Sequence, residues 1–337
     1  MEKKQYFPAA DILRGAAILS VLLYHGIIEY PIDLRGMYPW CDWLFRMLAA
    51  FHMPLFFVLS GFVYSCRNYA DYMKKRCLRL ALPYFVFAGA SIALHSVAGD
   101  LVNGGAGAGE GLANLLLYGA DYWFLYSLFF ISAVFPLLDR IKAKWFLPCL
   151  ILVTLLVEPI PMTRRFVMNK NIYYLGYFAL GVYLRRNVHL LEKAHSTVKK
   201  APLVSMVVSG AAFLGIFHFL QYYLPDFAHR DYIYALFGCA AVAIAFTAFD
   251  LPAWLSSFLR LCGKYSLQLY LLNGYLLVVG RTLLVSVLKI RNPAAIMLGL
   301  TVLCLFGGLF ISKYILDKCR LFRVLSGIPE KEKQEAA

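Results

Sequence analysis

Four residues near the start of the chain have the types and spacing for proton and group-transfer chemistry: Asp11, Arg14, His25 and Glu29. They fall in or beside an apolar stretch, where a charged side chain at mid-membrane costs on the order of 3 kcal/mol or more. Arg14 and His25 are eleven steps apart, which at about 100° per residue is three turns plus about 20°. The two therefore share one helix face, roughly 16 Å apart. Asp11, three residues before Arg14, is placed to pair with it. Glu29, four residues after His25, is placed to orient the imidazole. An imidazole so held suits a general base or a nucleophile that carries an acyl group, with the carboxylate acting like the acid of a Ser-His-Asp site. Taken singly, Arg14 reads as an end-of-helix cation reaching for the interface and His25 as a polar contact inside a bundle. Their common face argues for a site.

Two further clusters follow. The segment Phe51–Phe62 (FHMPLFFVLSGF) carries His52, a Pro54 that interrupts the helical ladder, and Ser60-Gly61, which permits close helix approach. His52 is expected at a depth similar to that of His25, so the two could line one cavity. The segment Lys74–Tyr84 (KKRCLRLALPY) places Lys74, Lys75, Arg76 and Arg79 together in the first inner loop. Such a cluster can grip a phosphorylated ligand; it equally serves to set topology and attract anionic lipid.

The elements that must position these groups follow from composition. The chain has 337 residues, 61% hydrophobic and only 15% charged, with mean hydropathy +0.66. Soluble domains carry about 45–50% apolar residues and about 25% charge. A soluble enzyme and a disordered chain are both excluded. The reading is an all-α polytopic membrane bundle of about ten transmembrane helices, at 9–29, 43–65, 80–98, 122–138, 145–160, 171–185, 201–223, 232–249, 265–288 and 294–316. The fourth to sixth are short enough to be tilted, broken or re-entrant. With both termini inside, the inner segments hold 23 Lys and Arg against 7 outside, as positive charge distributes in membrane proteins. The net charge of +14 is thus a topology signal, and nucleic acid is not expected as a partner. Met-Glu-Lys-Lys, with no cleavage site of small residues after it, makes the first apolar stretch a retained span. Of eight cysteines only Cys41 is expected in an outer loop, and no CxxC pair suggests a metal. The Gly-rich 103–111 stretch lacks the strand–turn–helix setting of a nucleotide loop. Residues 1–320 read as one membrane domain and 321–337 as a charged, disordered cytoplasmic tail.

Together these segments resemble the integral-membrane acyltransferase family 3, whose members acylate cell-surface carbohydrates. The resemblance rests on Asp11–His25 (DILRGAAILSVLLYH), Phe51–Phe62, Lys74–Tyr84, Tyr122–Leu128 (YWFLYSL), Tyr174–Gly181 (YLGYFALG) and Lys264–Leu272 (KYSLQLYLL). Each motif is weak alone; six in order along the chain are specific. The FHMPLFF form is similar to the fucose 4-O-acetylase-like branch. One departure stands out: family members often carry a His where this chain has Asn273, which hydrogen-bonds but cannot take up a proton near neutral pH.

The resemblance implies a membrane O-acyltransferase of the bacterial cytoplasmic (inner) membrane. It would move an acyl group, typically acetyl, from cytoplasmic acetyl-CoA or a related acyl-CoA to a carbohydrate hydroxyl. Acyl-CoA would be a co-substrate, with no bound cofactor and no metal. Arg14, Lys74, Lys75, Arg76 and Arg79, helped by Arg185 and Arg186, would hold the donor. His25 would act as base or acyl carrier, with Glu29 orienting it. His52, Ser60, Trp123 and Asn273 are second-tier candidates on the acceptor side, where an aromatic face suits a sugar ring. Enzymes of polysaccharide assembly are the expected protein partners. The rival reading is a saccharide transporter or flippase without acyl transfer; intramembrane charges and broken helices fit it, but the two halves show no self-similarity.

Overall fold

The computed structural model describes residues 7–28, 33–98, 115–116, 119–141, 143–157, 167–227 and 229–329. Among the described residues fifteen α-helices run in chain order: α1 Pro8–Ile28, α2 Leu34–Met37, α3 Pro39–Phe62, α4 Tyr69–Arg76, α5 Leu82–Ala98, α6 Trp123–Leu138, α7 Phe146–Val157, α8 Val167–Arg186, α9 Val188–Lys200, α10 Pro202–Tyr223, α11 Arg230–Thr247, α12 Ala253–Lys264, α13 Ser266–Arg281, α14 Pro293–Phe310 and α15 Arg320–Leu325. There is no strand among the described residues. Local chemistry sets the starts. Prolines open α3, α10 and α14, where a missing N–H costs nothing. Asn68 and Asn292 cap α4 and α14 through their side-chain oxygens, at 3.1 Å in both cases.

Among the described residues each of the ten expected spans falls largely on a helix, and the protein is a polytopic helical membrane bundle. Seven helical runs among the described residues are long and apolar enough to cross a bilayer: Pro8–Ile27, Pro39–Phe62, Tyr69–Leu94, Pro202–Tyr223, Arg230–Thr247, Ser266–Val287 and Pro293–Leu316. The fourth and fifth spans are short, as expected, but the sixth is not: it lies in α8, which has 20 residues. The 12 residues of α7 reach only about 18 Å at 1.5 Å per residue. Apolar side chains cover the outside as well as the core: Leu203, Val204, Val207 and Val208 on α10 are exposed, as lipid-facing positions must be.

Three local expectations change. The basic residues 74–79 lie not in a loop but on a helical run continuing into α5. Pro83 lacks the N–H that would reach the Arg79 carbonyl, and the helix widens to a π segment over Cys77–Ala81 just before it. Cys41 is not in an outer loop: Pro39 starts α3 early, and Cys41 is buried in its first turn. The tail expected from 321 is partly folded. It makes α15, Arg323 pairs with Asp317 at 3.4 Å, Gln268 Nε2 donates to the Ser326 carbonyl at 2.8 Å, and Ile328 is buried. Residues 330–337 and the Gly-rich 103–111 stretch lie outside the described residues.

Two glycine seams hold the site's helices together. A Cβ at Gly61 of α3 would strike the Phe178 carbonyl, and one at Gly181 of α8 would strike that of Val58. The α3 and α8 backbones therefore touch, as small residues allow in membranes. Gly15 of α1 meets the Leu259 carbonyl in the same way, and Gly263 of α12 meets that of Asp11.

Candidate active site

The ends of the bundle separate by chemistry. At one end the Arg185 guanidinium lies 4.2 Å from the Phe7 ring centroid and 5.8 Å from that of Phe62, joining the start of α1 to the ends of α3 and α8. Arg186 pairs with Asp139 at 2.6 Å, which brings in the end of α6. Through the Gly263–Asp11 seam α12 joins the same end, and Tyr265 donates to Asp317 at 2.8 Å. The start and the described end of the chain are thus on one side of the bundle.

Arg14 lies near this end, two turns into α1. It pairs with Asp11 at 2.8 Å, with both side chains about three-quarters buried, as the i,i+3 spacing predicted. Lys74 and Lys75 are exposed on the last turn of α4, Arg76 lies 4.9 Å over the Tyr72 ring, and Arg79 is exposed on the π segment. These cations occupy the Arg14 end of the bundle.

His25 and His52 approach each other from α1 and α3. The His25 Nδ1 is 2.8 Å from the Val21 carbonyl, and the His52 Nδ1 is 2.6 Å from that of Leu48, each four residues back on its own helix. A carbonyl only accepts, so in the neutral ring the hydrogen sits on Nδ1 and Nε2 keeps its lone pair. Both imidazoles thereby present Nε2 as the basic atom. The Tyr24 ring lies between them, its centroid 5.0 Å from that of each. His52 is buried, whereas His25 keeps some exposure. Glu29 lies outside the described residues; at His25 Nδ1 the partner is Val21.

The second-tier residues are distributed more widely. Trp123 packs against Tyr174 at 5.4 Å, and Tyr174 stacks on Phe57 at 4.4 Å, forming an aromatic wall that ends on α3. Ser60 flanks the Gly61 seam. Asn273 on α13 is 4% exposed, and its Oδ1 has no hydrogen-bond partner. A buried polar atom left so is costly unless something else satisfies it.

Sequence reasoning missed Tyr24. Adjacent to His25, it points about 100° away on a helix, so nothing in the periodicity links it to that imidazole. Only the packing of α3 against α1 makes it the bridge to His52. It also missed Arg35, whose guanidinium lies 4.6 Å over the Phe45 ring, which in turn stacks on Tyr24 at 4.3 Å.

A family model described as an acyltransferase domain, Acyl_transf_3, matches residues 7–313. Among curated proteins, "Putative membrane-bound acyltransferase YfiQ" of Bacillus subtilis (strain 168) is 24% identical over 352 residues, covering 93% of this chain and 91% of that protein. No solved structure matches.

Proposed function

The chain belongs to the integral-membrane acyltransferase family 3, and from that premise we propose that it transfers an acetyl group from acetyl-CoA, or a related acyl-CoA, to a hydroxyl of a cell-surface or secreted carbohydrate. The transfer would take place in the bacterial cytoplasmic membrane, with both termini on the cytoplasmic side. Family membership supports a transferase over the rival saccharide transporter.

The observation that carries the reading is the anchoring of His25. With Nδ1–H given to Val21, Nε2 is the base. It takes the proton of the acceptor hydroxyl as that oxygen attacks the thioester carbonyl. The tetrahedral adduct collapses, the C–S bond breaks, and the imidazolium returns the proton to the departing CoA thiolate. Donor phosphates are held at the basic end by Lys74, Lys75, Arg76 and Arg79, whose charges match them. Arg14 meets the donor where it enters the bundle. The long, thin acyl-bearing arm spans the three helical turns to His25. His52 and the Trp123–Tyr174 wall face the acceptor, and Asn273 Oδ1 contacts substrate in the interior.

The test is release of free CoA thiol from acetyl-CoA by the purified protein, with and without carbohydrate acceptors, and mass spectrometry of the acceptor. Thiol release that needs the acceptor, together with a 42 Da gain on the glycan (the mass of an added acetyl group, about 42 Da by bond-exchange arithmetic), supports the reading. Saccharide movement across vesicles without acyl-CoA use would favour the transporter instead.

A further inference from the structure

The outer corner made by α2 and the start of α3 is connected to the histidine pair by a column of rings. Arg35 lies over Phe45, Phe45 stacks on Tyr24 with 20° between the planes, and Tyr24 touches both His25 and His52. At the top of the column Asp33 grips Arg35 through a fork: Nε at 2.9 and 3.1 Å from the two carboxylate oxygens, Nη2 at 2.6 Å. Both side chains stay open, 37% exposed for Arg35 and 47% for Asp33. Tyr38 and the exposed Trp40 follow within a few residues along the chain, their ring centroids 6.5 Å from each other.

This pair has a particular chemistry. A guanidinium already matched by a carboxylate has little net attraction for a second anion. It still offers N–H donors beside carboxylate lone pairs. Neighbouring hydroxyls on a sugar, each a donor and an acceptor, complement that mixture. The ring faces alongside suit the apolar C–H face of a pyranose. The column below leads to the imidazole that remains partly exposed. We propose that the α2–α3 corner is the acceptor-recognition site: Asp33 and Arg35 bind the hydroxyls of a neutral sugar, and the Phe45–Tyr24 column carries their position down to the histidines. The proposal rests on the acyl-transfer reading above and names the class of its acceptor.

Asp33 also caps α2, accepting from the Arg35 backbone N–H at 3.0 Å, so the variants must separate capping from recognition. Asp33→Asn keeps the cap but removes the charge. Arg35→Lys keeps the charge but loses the fork. Full-length protein in lipid nanodiscs is given neutral methyl glycosides and, for comparison, methyl glucuronide. Binding is read by saturation-transfer NMR without acyl-CoA, and transfer by acetyl-CoA-dependent thiol release. The expected result is a preference for neutral glycosides in the wild type. In both variants saturation transfer is lost and the acceptor KM rises roughly tenfold, the scale of a lost charge-assisted hydrogen bond; the KM for acetyl-CoA and the melting temperature hold. Wild-type saturation transfer and acceptor KM in both variants, no glycoside binding at all, or tighter binding of the glucuronide would overturn it. Glycoside binding that both variants lose, with no thiol release in the wild type, would uphold the corner and sink the acyl-transfer reading.

Discussion

The His25 imidazole gives its Nδ1 hydrogen to the Val21 carbonyl, 2.8 Å away on the same helix. A helix carbonyl is a fixed acceptor that cannot ionise, so it sets the ring's tautomer and orientation without adding a charge in the membrane. His52 repeats the arrangement with Leu48. A face of one helix and a face of another thus each deliver a basic Nε2 beside Tyr24.

The pH dependence follows from two groups. In the proposed transfer a protonated Nε2 has no lone pair, so kcat/KM should fall as the medium becomes acidic, with His25 the group responsible. Asp33 behaves differently. The Arg35 fork holds its carboxyl below the ordinary 3.8, so it stays ionised above about pH 5 and its pairing is lost only as pH drops well below the usual carboxylate range. Acceptor KM should therefore stay flat from about pH 5 to 8 while kcat declines on the acid side. Steady-state kinetics at fixed ionic strength across that range checks both; an acceptor KM that climbs below neutrality would contradict the assignment.

Arg14 should affect the donor selectively. Its pairing with Asp11 at 2.8 Å fixes the guanidinium, and removing it takes away a charge-assisted contact at the donor's entry. Arg14→Ala is expected to raise the KM for acetyl-CoA about tenfold or more, and Arg14→Lys by less, with the acceptor KM little changed. Titrating acetyl-CoA against purified variants measures this, and superimposable curves would remove Arg14 from the donor path.

Stability should respond to the glycine seam. Gly61→Ala or Gly181→Ala drives a methyl into a facing carbonyl and must push α3 and α8 apart, at a cost of about 2 kcal/mol or more. Gly210→Ala, whose methyl would enter open space, serves as the control. Thermal unfolding in detergent should show a clear drop for the first two and none for the third. Equal melting temperatures for all three would mean that the seam is looser than described.

Asn273 separates structure from function. Its Oδ1 is buried and unpaired, so Asn273→Leu removes an unsatisfied group and should leave stability unchanged or raised. If Oδ1 meets the substrate, turnover falls at the same time. A variant with undiminished stability and undiminished turnover would show that the position has no part in transfer.

The helices were legible in the sequence, and with them the placing of Arg14 and His25 on one helix, because apolar runs and helical periodicity are local signals. The Asp11–Arg14 pair was legible for the same reason, being three residues apart. Tyr24 between two imidazoles was not, because it depends on how α3 packs against α1 through partners 28 positions along the chain (Tyr24 and His52). The charge run at 74–79 has the composition of a loop, whereas a π segment just before Pro83 lets the helix continue. The folding of Arg320–Ile328 was hidden for another reason: Ile328 gains its burial only in a core cluster with Tyr265 and Leu269, some sixty positions back along the chain.

The central claim is that His25 Nε2 is the base of an acyl transfer. Its most direct test is acceptor-dependent release of CoA thiol from acetyl-CoA by purified wild-type and His25→Ala protein, after confirming equal insertion and melting temperature. The account predicts turnover in the wild type and a loss of at least about a hundredfold in the variant, the low end for removing a general base. Wild-type turnover in His25→Ala would contradict it.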